Sequence, residues 1–530
     1  MKISEFDLMH APLKTDIKVF LKMKIIFKTS QLRWLTLITI IFLQCCKRKD
    51  NIRKDNVDFD QLIKQYSANE KDSLKLQCLI FLKNNIEGVT SEEPYFYNDK
   101  GGNEDFKLDT ITSDSSLRSI LKNKKINFSF SITKDADCLS SKLLEENIDK
   151  AISDWKKYPW NKNVPKDVFL NYLLPYKVLN ENPDNWRANF FQKYKDSITR
   201  HETNGDNDSE KLYSGLRTEA WSWLKYTGDF TRLTRSPSYK ELVAVRKGQC
   251  YELSHLFVFI ARSAGIPATI DLVPLWGKTS GSHAAEVFYG PIKKNNTIVK
   301  YGLRPWDPFK FPPKVFRMSF KRTNLWSDSI KPIIKNRNYF IPAFLKSDRL
   351  LDVTAEYTST LNFVYQFEKH QAIPIAYICV YSYGQWKPIF YGKVYSKGKY
   401  VKFNGMAKDM AYHIAVPNGS SYKLIGKPFI IDSLDHVVYS EPNLQKKISI
   451  VLEKTNIGAD SWVKKNRAYT LKYLDKNNHW KDLGSKLCQK DSSLSFSNVP
   501  INAFYMLEDK MSNKHLSRTF LHKNQKQIWY

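Results

Sequence analysis

Cysteine is scarce in this chain, at seven in 530 residues. Cys45 and Cys46 adjoin, while Cys78, Cys138, Cys250, Cys379 and Cys488 stand far apart, and no CxxC pair occurs. That pattern suggests neither a disulfide framework nor a zinc site. Acidic residues are in deficit too: 54 against 83 Lys and Arg, for a net charge of +29. No acidic cluster suggests calcium dependence, and neither a metal nor another cofactor is expected. The basic excess would suit nucleic acid. Yet the lysines are scattered, with no arginine-rich stripe and no nucleic-acid motif, so nucleic acid is not expected as a partner. The apolar run at residues 34–43 is too short to span a bilayer comfortably. What the chain does have is core-forming mass, 42% hydrophobic and 14% aromatic residues. Its length predicts three or four domains.

Cys250 stands apart from the other cysteines. It opens a segment in which Leu253, Leu256, Phe257, Ile260 and Ala264 recur at helical spacing. Gly265-Ile266-Pro267 then predicts the stop, with Gly near C′ and Pro beyond it. A thiol on the first helical turn meets unsatisfied N–H groups and partial positive charge, which favour thiolate. Such a nucleophile needs a base, and the base needs an orienting group. His283 heads an apolar run that reads as a strand to Tyr289. Gly290 to Asn296 reads as a turn, and Thr297 to Trp306 as a second strand. A turn centred near residues 293–294 sets His283 opposite Arg304, with Asp307 close beside it. The predicted roles are attack by Cys250, proton transfer by His283, and fixing of the imidazole by Asp307. The Cys250 backbone N–H is the better oxyanion donor, and Gln249 is a further candidate.

Each piece alone is ordinary; together they are specific. Lys247-Gly248-Gln249-Cys250, the helix end Ala264-Gly265-Ile266-Pro267-Ala268, His283-Ala284-Ala285-Glu286-Val287 and Trp306-Asp307-Pro308 follow one another in order. Over roughly residues 215–320 the chain resembles the transglutaminase-like superfamily of papain-like folds. The resemblance implies a Cys-His-Asp triad and an aromatic shaping an acyl channel. Trp221, Trp223 and Trp276 are the candidates for that aromatic.

Lys24, Lys28 and Arg33 precede the apolar run at residues 34–43, which reads as a secretory h-region. Leu43-Gln44-Cys45-Cys46 resembles a bacterial lipoprotein signal, with Cys46 as the lipidated residue and Cys45 as the alternative. Residues 47–57 read as a tether. From Asp58 onward apolar spacing predicts helices at Phe59–Ile63, residues 72–86, 139–157, 167–172 and 186–198, and then from Ser209 to Tyr226. Gly88 to Ser116 reads as a long loop. After residue 345 short strands alternate with turns. Gly384-Gln385-Trp386 and Asn478-His479-Trp480 suggest a repeated hairpin.

The expected fold is therefore multidomain α+β: a helical N-terminal region, a transglutaminase-like papain-type α+β core, and C-terminal β-sandwich modules. The expected segments are a signal at 1–46, a tether at 47–57, helices at 58–205, the transglutaminase-like domain at 206–345, and sandwiches at 346–440 and 441–530. This layout, with Tyr158-Pro159-Trp160, Leu173-Leu174-Pro175-Tyr176 and Gln527-Ile528-Trp529-Tyr530, is similar to an envelope lipoprotein family of Bacteroidetes-type bacteria. The resemblance implies lipid anchoring at the cell envelope, periplasmic or surface-exposed, and a monomer is expected. Its substrate would be a protein or peptide, glycosylated or not. Two functions compete: thiol-dependent amide hydrolysis or acyl transfer, and a binding role in which the triad is vestigial and the sandwiches take glycan or peptide. Exposed tryptophans in the Trp386 and Trp480 hairpins would favour the second.

Overall fold

The computed structural model describes residues 56–106, 111, 114–228, 236–295, 297–306, 308–323, 325, 338–457, 461–509 and 518–530. The chain divides into two compact units: Met1–Ala268 with Tyr289–Gly302, and Thr269–Phe288 with Leu303–Tyr530.

The first unit is mainly helical. Its elements are α1 (Phe59–Ser67), α2 (Ser73–Asn85), α3 (Asp114–Lys124), α4 (Ser141–Lys157), α5 (Trp186–Thr203), α6 (Ser209–Trp221), α7 (Tyr239–Val245) and α8 (Cys250–Ser263). Helix starts are fixed by side chains at the ends. The Asp58 carboxylate accepts the Gln61 N–H at 2.9 Å, the Ser140 hydroxyl that of Leu143 at 3.2 Å, and the Asp208 carboxylate that of Glu210 at 2.9 Å. The stretch expected as a helix at 167–172 becomes a short helix (Lys166–Val168) running into a π-helical turn (Phe169–Leu173).

The long loop expected at Gly88–Ser116 is instead a place where sheet forms. Here β1 (Thr90–Asn98) pairs antiparallel with β2 (Asn103–Glu104) and, over its full length, with β3 (Ile126–Lys134). Charges and Pro94 disguised β1. Pro94 lies opposite Phe130, at a point where the β2 edge of the strand is unpaired, so its missing N–H breaks no ladder there.

Helix α8 lies at the centre of this unit. It is buried without a break from Glu252 to Ser263. Phe259 packs on Trp186 at 4.7 Å and on Phe190 at 6.3 Å, both from α5. The helix ends as the sequence predicts. Ile266 N–H reaches back to the Ala261 carbonyl and Gly265 N–H to that of Arg262, with Gly265 at φ +76°.

The second unit is mainly antiparallel sheet. A five-stranded sheet runs in the order β10 (Leu350–Asp352), β9 (Phe316–Met318), β6 (Ala268–Val273), β7 (His283–Lys294), β8 (Thr297–Pro305), and the division of the chain passes through β7 and β8. The next sheet has seven strands, β11 (Thr360–Gln366), β12 (Ile375–Ser382), β13 (Gln385–Tyr395), β14 (Tyr400–Ala407), β15 (Met410–Asn418), β16 (Ser421–Ile431) and β17 (Val437–Tyr439), ordered 11-14-13-12-15-16-17. It coils over itself: Phe363 on the edge strand β11 meets Phe429 of β16, with ring centroids 4.6 Å apart. Strand β12 is buried along its whole length, which explains its unbroken apolar run around Cys379.

The last strands are β18 (Asn443–Leu452), β19 (Ala468–Leu474), β20 (Trp480–Leu487), β21 (Leu494–Ile501), β22 (Tyr505–Asp509), β23 (Phe520–Lys523) and β24 (Lys526–Trp529). A two-stranded sheet, β18-β21, and a five-stranded sheet, β20-β19-β22-β23-β24, share one core. The two C-terminal sheet systems therefore differ in topology and are not a duplication. Trp386 is 5% exposed, and Trp386 and Trp480 both meet the Tyr381 ring edge to face. Trp386 is thus a core residue, and Trp480 is partly buried and packs against the same core. Among the described residues no helix is long and apolar enough to cross a membrane.

Gly265 carries a testable consequence. Its φ is left-handed, and a Cβ there would stand 2.7 Å from Tyr158 Cδ2. Gly265→Ala is expected to lower stability by about 2 kcal/mol or more. Urea unfolding measures it; an unchanged midpoint would contradict this account of how α8 stops.

Candidate active site

In the first unit, Cys250 is the first residue of α8 and is partly exposed. The turn before it is built for close approach. Gly248 lies against Glu252, where an added Cβ would come within 2.6 Å of the glutamate Cβ. Glu252 in turn accepts the Gln249 N–H at 2.9 Å, fixing the start of the helix. Strand β5 (Lys247–Gly248) runs parallel to β4 (Lys225–Tyr226), and Thr227 N–H donates to the Gly248 carbonyl at 3.0 Å. The Gln249 side-chain amide donates to the Gly228 carbonyl at 2.7 Å. Gln249, a candidate oxyanion donor, thus also ties the thiol's turn to the segment alongside it.

That segment holds an aromatic residue the sequence reading missed. Tyr226 is paired with Gly248, two residues from Cys250, and is 67% exposed. Trp221 and Trp223, the candidates chosen by residue type, go elsewhere. Trp221 packs on Phe257 at 5.5 Å, two turns or about 10 Å along α8 from Cys250. Trp223 donates its indole N–H to the Tyr194 hydroxyl at 3.2 Å, against α5. The short β4–β5 pairing sets Tyr226 beside the turn that precedes Cys250, and a two-residue bridge leaves no periodic trace.

His255 shares α8 with Cys250 but lies five positions on, about 140° round the helix. It is wholly buried, with Nε2 3.3 Å from the Glu181 carboxylate. Glu181 also accepts the N–H groups of Val178 and Leu179 at 2.6 and 2.8 Å. Burial alone would raise the Glu181 pKa; His255, Lys177 and the Val178 N–H outweigh it and hold the carboxyl at about 2. This pair braces the back of the helix and does not serve the thiol.

In the second unit, His283 begins β7 and sits among aromatic rings. Trp276 stacks on it at 5.7 Å and 25°, and Phe309 meets it edge to face at 5.5 Å. Phe309 stacks on Tyr357 at 4.9 Å, whose hydroxyl donates to Asp271 at 2.7 Å. Asp271 takes both arms of Arg317, at 2.9 and 2.8 Å, and Arg317 also reaches Glu356. A buried ion-pair network thus fixes the ring wall from behind. Of the three tryptophan candidates, Trp276 stacks on a predicted catalytic side chain, His283.

The expected hairpin register is corrected. Strand β7 continues through Gly290-Pro291 to Lys294, so the turn falls later than 293–294. The Trp306 N–H meets the Glu286 carbonyl at 3.4 Å, and the Arg304 guanidinium lies 5.5 Å from the Phe288 ring. Arg304 therefore neighbours Phe288, not His283. Asp307 and the proposed lipidation residue Cys46 both lie outside the described residues. Among the described residues no group of three or more His, Cys, Asp or Glu side chains could hold a metal ion.

Comparison with known proteins bears on the region that carries Cys250 and His283. Residues 192–300 match the family model of the transglutaminase-like superfamily, so this stretch is a transglutaminase-like domain. Asp307 lies beyond the matched segment. Among solved structures, a red sea bream transglutaminase is similar at 9% identity, over 66% of this chain and 78% of that one, with a TM-score of 0.23. No curated protein matches the chain.

The Glu181 brace makes a pH prediction. Its folded pKa lies below the ordinary value of 4.5, so its contribution is complete above about pH 4.5 and is lost as pH falls toward about 2. The gap corresponds to about 3 kcal/mol. Glu181→Gln is expected to lower stability near neutrality by about that amount, and to flatten the decline between pH 4.5 and 2. Urea midpoints across that range test it; a mutant as steep as wild type would refute the pairing.

Proposed function

We propose that this protein is a cysteine-dependent amide hydrolase or acyltransferase held at the cell envelope. The observation that carries the reading is a partly exposed Cys250 on the first turn of α8, inside a transglutaminase-like domain. The first-turn N–H groups and the helix dipole favour thiolate and supply donors for an oxyanion.

In this reading the Cys250 thiolate attacks the carbonyl carbon of an amide. The tetrahedral oxyanion collapses, the C–N bond breaks, and His283 gives the leaving amine its proton. The product is a thioester on Cys250. Water, giving its proton to His283, then releases an acid; a lysine amine in its place yields a cross-link. Hydrolysis is preferred. Asp307 would hold the imidazole, Cys46 would carry the lipid, and the substrate would be a protein or peptide. The competing role, glycan or peptide binding by the C-terminal sheets, is weakened because Trp386 is buried and Trp480 packs partly buried against the same core.

Alkylation with iodoacetamide across pH tests the thiol. Cys250 is expected to label near about pH 6 in wild type, and only toward about pH 8.5 in His283→Ala. Labelling confined to about pH 8 and above in both would end the enzyme reading. Anchoring has its own test. Cys46→Ser is expected to abolish incorporation of radiolabelled fatty acid and to move the protein from the membrane to the soluble fraction. Retention of the label would move the anchor to another residue such as Cys45.

A further inference from the structure

Within the second unit, the segment that leads into His283 is gripped by residues far along the chain. Trp276 N–H closes a tight loop on the Gly281 carbonyl at 3.0 Å. Ser280 Oγ accepts the Tyr383 N–H at 3.1 Å. Lys278 pairs with Asp409 at 3.5 Å, and its ammonium lies 4.8 Å from the Phe311 ring. Gly277 has no room for a side chain: a Cβ would run into Met410 Sδ. Its carbonyl accepts Nη2 of Arg518, from the strand region at the end of the chain.

Arg518 is an odd residue to find there. Its side chain is fully buried, and among the described residues neither Nε nor Nη1 has a hydrogen-bond partner. The guanidinium faces the Tyr381 ring at 5.9 Å. A buried cation so poorly paired costs stability, and an apolar residue of similar volume would serve the core better. What the guanidinium alone supplies is a donor on the Gly277 carbonyl. The next residue back is Trp276, whose ring lies on His283.

We propose that Arg518 is a positioning residue for His283, acting through the Gly277 carbonyl and the Trp276 ring. The inference rests on the reading of His283 as the base. The C-terminal strands then do more than fill out the chain: they fix the loop that orients the imidazole.

Tryptophan fluorescence tests this independently of any thiol chemistry. A protonated imidazole quenches an indole stacked on it. Wild type should therefore lose a component of emission as pH is lowered and His283 takes up its proton. That component should be absent in Trp276→Phe and in His283→Ala. Arg518→Met is expected to remain folded, with a melting temperature equal to or above wild type, and to lose at least half of the quench. Arg518→Lys, which keeps one donor for the carbonyl, should retain more of it than Met does. In the same variants, Cys250 alkylation by iodoacetamide should move toward the His283→Ala profile in Met and less so in Lys.

An Arg518→Met protein that folds with the wild-type quench overturns the proposal, as does the absence of any Trp276-dependent quench in wild type. If Arg518→Met fails to fold, Arg518 is structural and the proposal falls, unless a folded Arg518→Lys loses the quench. Failure of the enzyme reading looks different: alkylation would be the same in wild type and His283→Ala while the fluorescence differences persist.

Discussion

A helix buried along nearly its whole length must have its last carbonyls satisfied by something other than water, and the first unit is arranged around that demand. Arg187 donates Nη1 to the Arg262 carbonyl at 2.9 Å, and Trp160 donates its indole N–H to that of Ala264 at 3.1 Å. Arg262 turns its own guanidinium outward from α8, to the carbonyls of Ala268 and Lys177 at 2.9 Å each. Two cations at a helix C-terminus also complement the dipole. Once the far end is held this deeply, the first turn is where the helix meets solvent, and Cys250 is on it. The partly exposed thiol is a consequence of how the opposite end is tied down.

The two candidate catalytic side chains are held in different ways. Cys250 gets its position from helix geometry: a glycine that lets Glu252 close in, a glutamate on the Gln249 N–H, and the Glu181–His255 pair behind. His283 gets its position from rings. Trp276 and Phe309 limit the imidazole on two sides, and the Tyr357–Asp271–Arg317 chain keeps Phe309 from drifting. Ring walls keep water from the flanks of the imidazole, which strengthens whatever charge interactions it makes. A main-chain anchor suits a nucleophile that must sit at a helix end. A side-chain cage suits a base whose orientation matters most.

What could be read from the sequence follows from the range of the forces involved. The start of α8 at Cys250 and its stop at Gly265-Ile266-Pro267 are local, and the structure has both where the spacing put them. The apolar runs around Cys78 and Cys379 proved to be core for the same reason. Misreadings came where partners are distant. Strand β1 carries Glu92, Glu93 and Pro94, and its identity lies in the alternation of β3 some thirty residues later. The hairpin slipped because Gly290-Pro291 looks like a turn; yet β7 runs through it, and a shift of a few residues trades Arg304 for Phe309 beside His283. Residue type alone does not separate Trp276 from Trp221 and Trp223. Arg518 had no signal at all, since nothing near it in sequence hints at Gly277.

The chain's charge has the same logic. Most of its basic excess is solvated and says little about function, but a few ions are buried at real cost, and each one joins segments far apart in sequence. Lys177 meets Asp135 at 2.9 Å, Arg317 meets Asp271, and Lys314 donates to the Asn404 and Gly405 carbonyls at 2.7 and 2.9 Å while pairing with Asp352. Apolar side chains would fill these places with less penalty, but they would tolerate a range of offsets between the segments they join. A bidentate or carbonyl-seeking ion tolerates little, because a displacement of an ångström leaves a buried charge unpaired. Buried ions lie behind α8 and behind the rings around His283, where small offsets matter most to an active site. Their stability cost is the expected signature of position being specified rather than merely permitted.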